Sequence, residues 1–225
     1  MTPPSTPPDT LEELQHRVNA IAGLSLGDLA CSANIKVPAN FKKEKGWTGQ
    51  LIELWLGASA GSKPEQDFVN LGIELKTLPI TTTGKVLETT YVCYAHLTGN
   101  AGLNWQNCNV RNKLQHVLWL PVIGQRNISP AQRQVGTGIF WQPNALQEQR
   151  LRHDWEEHMD NIALGNIESL SAKAGDVLQL RPKAADGSVV TDATGVDGQM
   201  IKTRPRGFYL RKNFTQEIID CAFDR

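Results

Sequence analysis

The chain has 225 residues, 40% of them hydrophobic, and its 23 basic side chains are balanced by 23 acidic ones. A chain of this length and apolar content can bury a substantial core as one large domain or two small lobes, which excludes a disordered polymer. The zero net charge excludes inferring a polyanionic partner from global charge, so nucleic acid has to be argued from local clusters.

Residues 1–9, MTPPSTPPD, read as a flexible Pro-rich tail outside the fold, leaving 10–225 as the folded domain. Thr10 with Glu13 three residues on forms a capping box, and Leu11, Leu14, Val18 and Ile21 make one face of a first helix. A short helix around 25–30 follows. TGQLIELWLGASAG reads as a third helix, with Leu51, Leu54, Trp55 and Ala58 at helical spacing and Gly61 closing it. Glu53 is the anomaly in that segment, a carboxylate in a helix apolar on most sides. Strands are expected at 67–69, 73–78, 87–95, 117–123 and 138–142, a long amphipathic helix at 146–159, and strands at 177–180 and 207–210. Thr215 is placed to cap a final helix running to Phe223. The pattern predicts an α/β domain around a mixed sheet.

Cysteines at 31, 93, 108 and 221 form no CxxC pair and no metal-ligand spacing. They read as small buried residues of a reduced, cytoplasmic protein. No apolar run is long enough to cross a bilayer, so no membrane contact is expected. GASAGSK at 57–63 departs from a phosphate-binding loop in its spacing and in leaving a helix. His153 and His158 are five residues apart, on different sides of a helix, which argues against a zinc pair.

The informative stretch is GSKPEQDFVNLGIELKT, residues 61–77. Asn70, Leu71 and Gly72 supply turn chemistry, so Asp67 and Glu74 are expected on neighbouring strands of a hairpin. Strand side chains alternate, which puts Glu74 and Lys76 on one face, about 6–7 Å apart. Two carboxylates brought together repel unless a cation lies between them, and a hard divalent ion such as Mg²⁺ prefers oxygen ligands. Lys76 can then orient an attacking water or neutralise charge developing on a phosphate. A solvated surface hairpin carries the same E-x-K pattern, and spacing alone leaves both readings open. A second local signal is basic. Residues 201–214 carry Lys202, Arg204, Arg206, Arg211 and Lys212 without an acid, interleaved with Phe208 and Tyr209, while 153–160 is acidic. That asymmetry is the footprint sought for nucleic acid.

Asp67-x6-Glu74-x-Lys76 resembles the D…(D/E)xK signature of the restriction-endonuclease fold. The surrounding KGWTGQLIELWLGASAGSKPEQDFVNLGIELKT (45–77), RPKAA (181–185) and TRPRGFYLR (203–211) closely resemble the MutH family of methyl-directed mismatch-repair endonucleases, over nearly all of the chain after the tail. The resemblance implies an α/β fold with a restriction-endonuclease-like mixed β-sheet flanked by helices, in two lobes around a DNA-binding cleft. It implies Asp67 and Glu74 as ligands of Mg²⁺, with Mn²⁺ as a substitute, Lys76 beside them, and Glu53 as the acid from the preceding helix that completes the catalytic set. Lys45 matches a family lysine near the active site and is counted with the DNA-binding positions, while a solvated charge in KKEK suits it nearly as well.

On the DNA side the resemblance puts Tyr209 where the target adenine and its methylation are sensed. Arg181, Pro182 and Lys183 fall on a loop entering the major groove, with Tyr91 and Lys113 as further DNA-binding positions. The implied activity is nicking of the unmethylated strand of double-stranded, hemimethylated GATC sites, 5′ to the guanine, by a monomer. The ATPase MutL would activate it, and MutS would act indirectly. Ile218, Ile219 and Phe223 on the final helix suit either a MutL contact or packing on their own core. Two other functions fit the same residues: a restriction endonuclease cutting both strands at GATC, and a non-catalytic sequence-specific DNA-binding module.

Overall fold

A computed structural model describes residues 1–39, 44, 46–59, 61, 65–171, 173–183 and 188–224. In chain order the helices are α1 (Leu11–Ile21), α2 (Leu26–Ser32), α3 (Trp47–Leu56), α4 (Asn109–Leu114), α5 (Ala145–Ala163) and α6 (Lys212–Ala222). The strands are β1 (Glu74–Ile80), β2 (Thr90–Ala95), β3 (Val117–Ile123), β4 (Ile139–Trp141), β5 (Leu178–Pro182), β6 (Thr191–Thr194), β7 (Met200–Thr203) and β8 (Arg206–Leu210). They form an α/β architecture in two compact units. One contains residues 1–88, 116–142 and 218–225; the other contains 89–115 and 143–217.

In the first unit β1 pairs in parallel with β3, and β4 joins β3 antiparallel, giving a three-stranded mixed sheet. The central strand reads VLWLPVI and is buried along almost its whole length, as a strand covered on both faces requires. Leu14, Val18 and Ile21 of α1, Leu26 and Leu29 of α2, and Leu51, Ile52, Trp55 and Leu56 of α3 bury against Leu75, Leu118 and Leu120. With Leu75 in that core, strand alternation directs Glu74 and Lys76 to the opposite face. The local signals are met in modified form. Thr10 accepts a hydrogen bond from the Glu13 amide at 3.1 Å, but the Glu13 carboxylate takes the Asp9 amide and Arg17 instead of closing the box. Helix α3 ends at Gly57, left-handed at φ 78, four residues before the expected Gly61, because Gly57 already turns the chain.

In the second unit β2, β8 and β5 form an antiparallel sheet with β8 in the middle, and β6 and β7 form a separate two-stranded ribbon. Asp154, buried on α5, accepts the amides of Asp176, Val177 and Leu178 at 3.0, 2.7 and 2.8 Å and so fixes the entry to β5. The strands thus divide among three small sheets.

Several expectations need correction. Residues 67–69 are not a strand: Phe68 alone bridges Ile73, and Val69–Leu71 is a 3-10 turn closed by Gly72 at φ 63. Helix α6 begins at Lys212, so Thr215 lies inside it and its hydroxyl donates back to Arg211 and Lys212 carbonyls. Of the α6 residues that suit either a partner or the core, Ile218 and Ile219 are buried and Phe223 is exposed. Cys93 and Cys108 are buried, but Cys31 and Cys221 are exposed; all four are free thiols. The segment before α1 is held to the fold: Pro8 is buried, and the Thr6 carbonyl accepts a hydrogen bond from Arg17 at 2.9 Å.

Candidate active site

Three pieces of the first unit present the acid–base cluster. Helix α3 supplies Glu53, half-buried in its last turn, with the carboxylate reaching back toward Gly49 as helical side chains do. The turn before β1 supplies Asp67. Its carbonyl takes the Ser59 amide at 3.0 Å and its carboxylate takes the Leu75 amide at 2.8 Å. Asp67 is therefore tied at one end to the chain leaving α3 and at the other to β1. The single Phe68–Ile73 bridge and the Gly72 turn bring it next to Glu74 in space without a true hairpin. Strand β1 supplies Glu74 and Lys76. The Glu74 amide is anchored on the His116 carbonyl at 3.0 Å, which sets the start of the parallel ladder. Its side chain is 3% exposed and its Oε1 lies 2.5 Å from the Lys76 ammonium.

Glu53, Asp67, Glu74 and Lys76 act on one another electrostatically. Partial burial, the Asp67 carboxylate and the Glu74 carboxylate all push the Glu53 carboxyl above the usual range, while Lys76 pulls it down. Three acids thus share one ammonium, and burial strengthens both the repulsion and the attraction. The donor set is oxygen-rich, as hard divalent cations prefer. Among the described residues no three His, Cys, Asp or Glu side chains converge as a ready metal cage. Two carboxylates completed by waters and a substrate phosphate would suit Mg²⁺, which rarely uses all-protein cages.

Apart from Lys45, the predicted DNA-side residues fall in the second unit, and most of them meet. Tyr91 on β2 and Tyr209 on β8 are register partners, their rings edge-to-face at 5.3 Å. The Lys183 ammonium stands 4.0 Å from the centre of the Tyr91 ring, and the Arg181 guanidinium 5.3 Å from that of Tyr209. Arg181 also donates to the Thr89 hydroxyl at 2.8 Å. Pro182 ends β5, and the Lys183 amide then donates to the Pro205 carbonyl at 2.7 Å. Burial raises the phenol pKa of both tyrosines, so both remain neutral donors at physiological pH.

Lys113, expected as a further DNA-binding position, is buried on α4. Lys45 lies outside the described residues. Part of the basic stretch at 201–214 is occupied in holding the fold. Arg211 donates to the Lys173, Ala174 and Gly175 carbonyls, Arg206 to that of Ile167, and Lys202 pairs with Asp192 at 2.7 Å. The sequence reading missed Gly207. A Cβ there would come within 2.9 Å of the Tyr91 ring, so the glycine is the floor on which that ring lies. A glycine inside a strand pattern, one residue before Phe208-Tyr209, was the available signal.

With this geometry in place, comparison with known proteins is informative. Residues 56–154 match the family model described as "DNA mismatch repair enzyme MutH". The chain is 56% identical over 220 residues to a "DNA mismatch repair protein MutH" of Photorhabdus laumondii, covering 98% of this chain and 96% of that protein. It is 55% identical over 223 residues to the protein of that name from Klebsiella pneumoniae (99% and 96% covered), and 52% identical over 218 residues to one from Escherichia coli (97% and 95%).

The shift at Glu53 carries a stability consequence. Its folded carboxyl binds a proton more tightly than in the unfolded chain, so stability falls as pH rises from about 4.3, the ordinary glutamate value, through the raised one. Glu53→Gln mimics the protonated form. Without divalent cations it should raise the melting temperature at pH 8 and lose that advantage at pH 4. Thermal melts of both proteins across that range check this.

Proposed function

The chain belongs to the MutH family of DNA mismatch repair endonucleases, and on that premise we propose that it nicks the unmethylated strand at hemimethylated GATC sites, 5′ to the guanine, by metal-dependent hydrolysis. Its α/β architecture is of the restriction-endonuclease-like class. The observation that carries the catalytic reading is the placement of Glu53, Asp67, Glu74 and Lys76 in one unit, with the Asp67 carboxylate on the Leu75 amide and Glu74 on the Lys76 ammonium.

Asp67 and Glu74 are the residues that would hold the divalent ion, Mg²⁺ or Mn²⁺ in its place, because both are oxygen donors fixed by the backbone on either side of one turn. When bound there, such an ion supplies Lewis-acid polarisation of the phosphodiester and a more acidic water. Lys76, already held by Glu74, has two further ammonium protons with which to orient a water and offset charge gathering on phosphate oxygens. Glu53 is the strained member of the set, and its anionic form is favoured once positive charge enters the cluster.

Sequence and methylation would be read by the second unit. Tyr91, Tyr209, Arg181 and Lys183 make a patch of two phenols and two cations at the end of β5, with Pro182 setting the exit of the chain. Arginine and lysine suit guanine edges, and a tyrosine packed against an adenine edge would respond to a methyl group added there, because the methyl changes the surface it meets. Lys45 suits a backbone phosphate. Lys113 is omitted from the contact set because it is buried. The reading includes activation by MutL, indirectly MutS, a cytoplasmic setting and a monomer, since one site per chain cuts one strand. Among the described residues no helix is long and apolar enough to cross a membrane.

The direct test is to incubate a hemimethylated GATC duplex with the protein, with and without Mg²⁺, and map the cut. A nick on the unmethylated strand only with Mg²⁺ is expected, and Asp67→Ala should lower its rate by about 10²-fold or more. Fast double-strand breaks regardless of methylation would instead identify a restriction enzyme, and binding without any cut a DNA-binding module. Tyr209→Ser should preserve the Mg²⁺ requirement while bringing the rates on unmethylated, hemimethylated and fully methylated duplexes toward one another. Unchanged discrimination would move the sensor elsewhere.

A further inference from the structure

Arg17, on α1, is far in sequence from every residue of the acid–base cluster, yet its guanidinium closes the end of the helix that carries Glu53. One nitrogen, Nη1, donates to the Leu56 carbonyl at 2.9 Å and to the Thr6 carbonyl at 2.9 Å; the other, Nη2, is held by Glu13 at 2.5 Å. Leu56 is the last residue of α3, where carbonyls lack helical partners. The Glu53 carbonyl is taken by the amides of Gly57 and Ala58, so Arg17 takes a further one that the helix leaves open. The fit is close. A Cβ at Gly57 would approach Arg17 to 2.4 Å, the Thr6 carbonyl to 2.8 Å and Pro4 to 3.3 Å. The arginine side chain is only 13% exposed, and Glu13 also accepts the Asp9 amide, tying the same strap at a second point.

We propose that Arg17 is a positioning residue for the metal site, and that residues 4–9 form a strap that Arg17 binds to the C-terminal end of α3 so that Glu53 is held in place beside Asp67 and Glu74. The proposal rests on the reading of that cluster as a divalent-cation site. A helix end left with unpaired carbonyls frays, and fraying from Leu56 begins one turn from Glu53. A cation at a helix C-terminus also opposes the unfavourable placement of an acid in the last turn. The Pro-rich composition of residues 1–9 serves the same end, since proline restricts the chain before the strap is laid down and lowers the entropy lost on docking.

The test is a thermal-shift titration of the whole protein with MgCl₂, which needs neither DNA nor turnover. Wild type should be stabilised by the ion, and Asp67→Ala should not respond. Arg17→Met keeps the length of the side chain but removes its donors, and should raise the Mg²⁺ concentration for half-maximal shift on the order of 10-fold, the scale seen when a supporting contact of a metal site is removed. Arg17→Lys should recover part of that loss, and deletion of residues 1–8 should act in the same direction as Arg17→Met. A merely structural role lowers the melting temperature without moving the Mg²⁺ midpoint, and that result in Arg17→Met or the deletion would overturn the proposal. Absence of any Mg²⁺ shift in wild type would instead refute the metal reading beneath it. If Arg17→Met fails to fold, Arg17→Lys and the deletion decide the matter by the same midpoint.

Discussion

The gathering of three carboxylates, partly buried, near one ammonium is the constraint on which the proposed chemistry depends. Glu53, Asp67 and Glu74 come from a helix end, a turn and a strand start, and folding forces them together against their mutual charge. Lys76 offsets part of that charge through its 2.5 Å contact with Glu74, and Asp67 is partly relieved by the Leu75 amide. At Glu53 partial burial first, and then the Asp67 and Glu74 charges, raise the proton affinity.

The second unit handles charge differently. Its cations do not wait in water but lie on aromatic rings, Lys183 on Tyr91 and Arg181 on Tyr209. Stacking of this kind restrains long, flexible side chains and would lower the entropy lost if they met a ligand. Asp154, by gathering three amides ahead of β5, and Gly207, by leaving room for Tyr91, set the two strands on which the patch is built. The acid–base cluster lies in one unit and the Tyr91–Tyr209 patch in the other, so the proposed function would divide chemistry from recognition along the chain.

Much of this was legible in the residues. The alternation in ELKT placed Glu74 and Lys76 on one face, and the apolar periodicity of α1 and of α3, with Glu53 as its exception, identified the elements that cover β1. The strand 117–123 was read with its observed bounds, because a continuous apolar run bounded by polar residues has few alternatives. Short polar strands escaped: TDAT and MIKT carry no alternation strong enough to register, and they exist because each is the other's partner. The helix before β3, six residues long, escaped for the same lack of pattern. Long-range roles were invisible in principle. Nothing local to Arg17 points to Leu56, and Pro-rich composition argued for a loose tail where an arginine two turns into α1 holds it. Exposure failed at Lys113 because a lone lysine reads as solvated unless its neighbours are known.

The most direct measurement is the titration of the Glu53 carboxyl itself, by carbon-detected NMR of glutamate-labelled protein, in wild type, in Asp67→Asn and in the presence of Mg²⁺. A cluster of coupled acids predicts a midpoint above the ordinary glutamate range in wild type, moved down by removing the Asp67 charge and down again by the ion. A Glu53 that titrates as an exposed glutamate does, indifferent to Asp67 and to Mg²⁺, would mean that the four residues do not form one site.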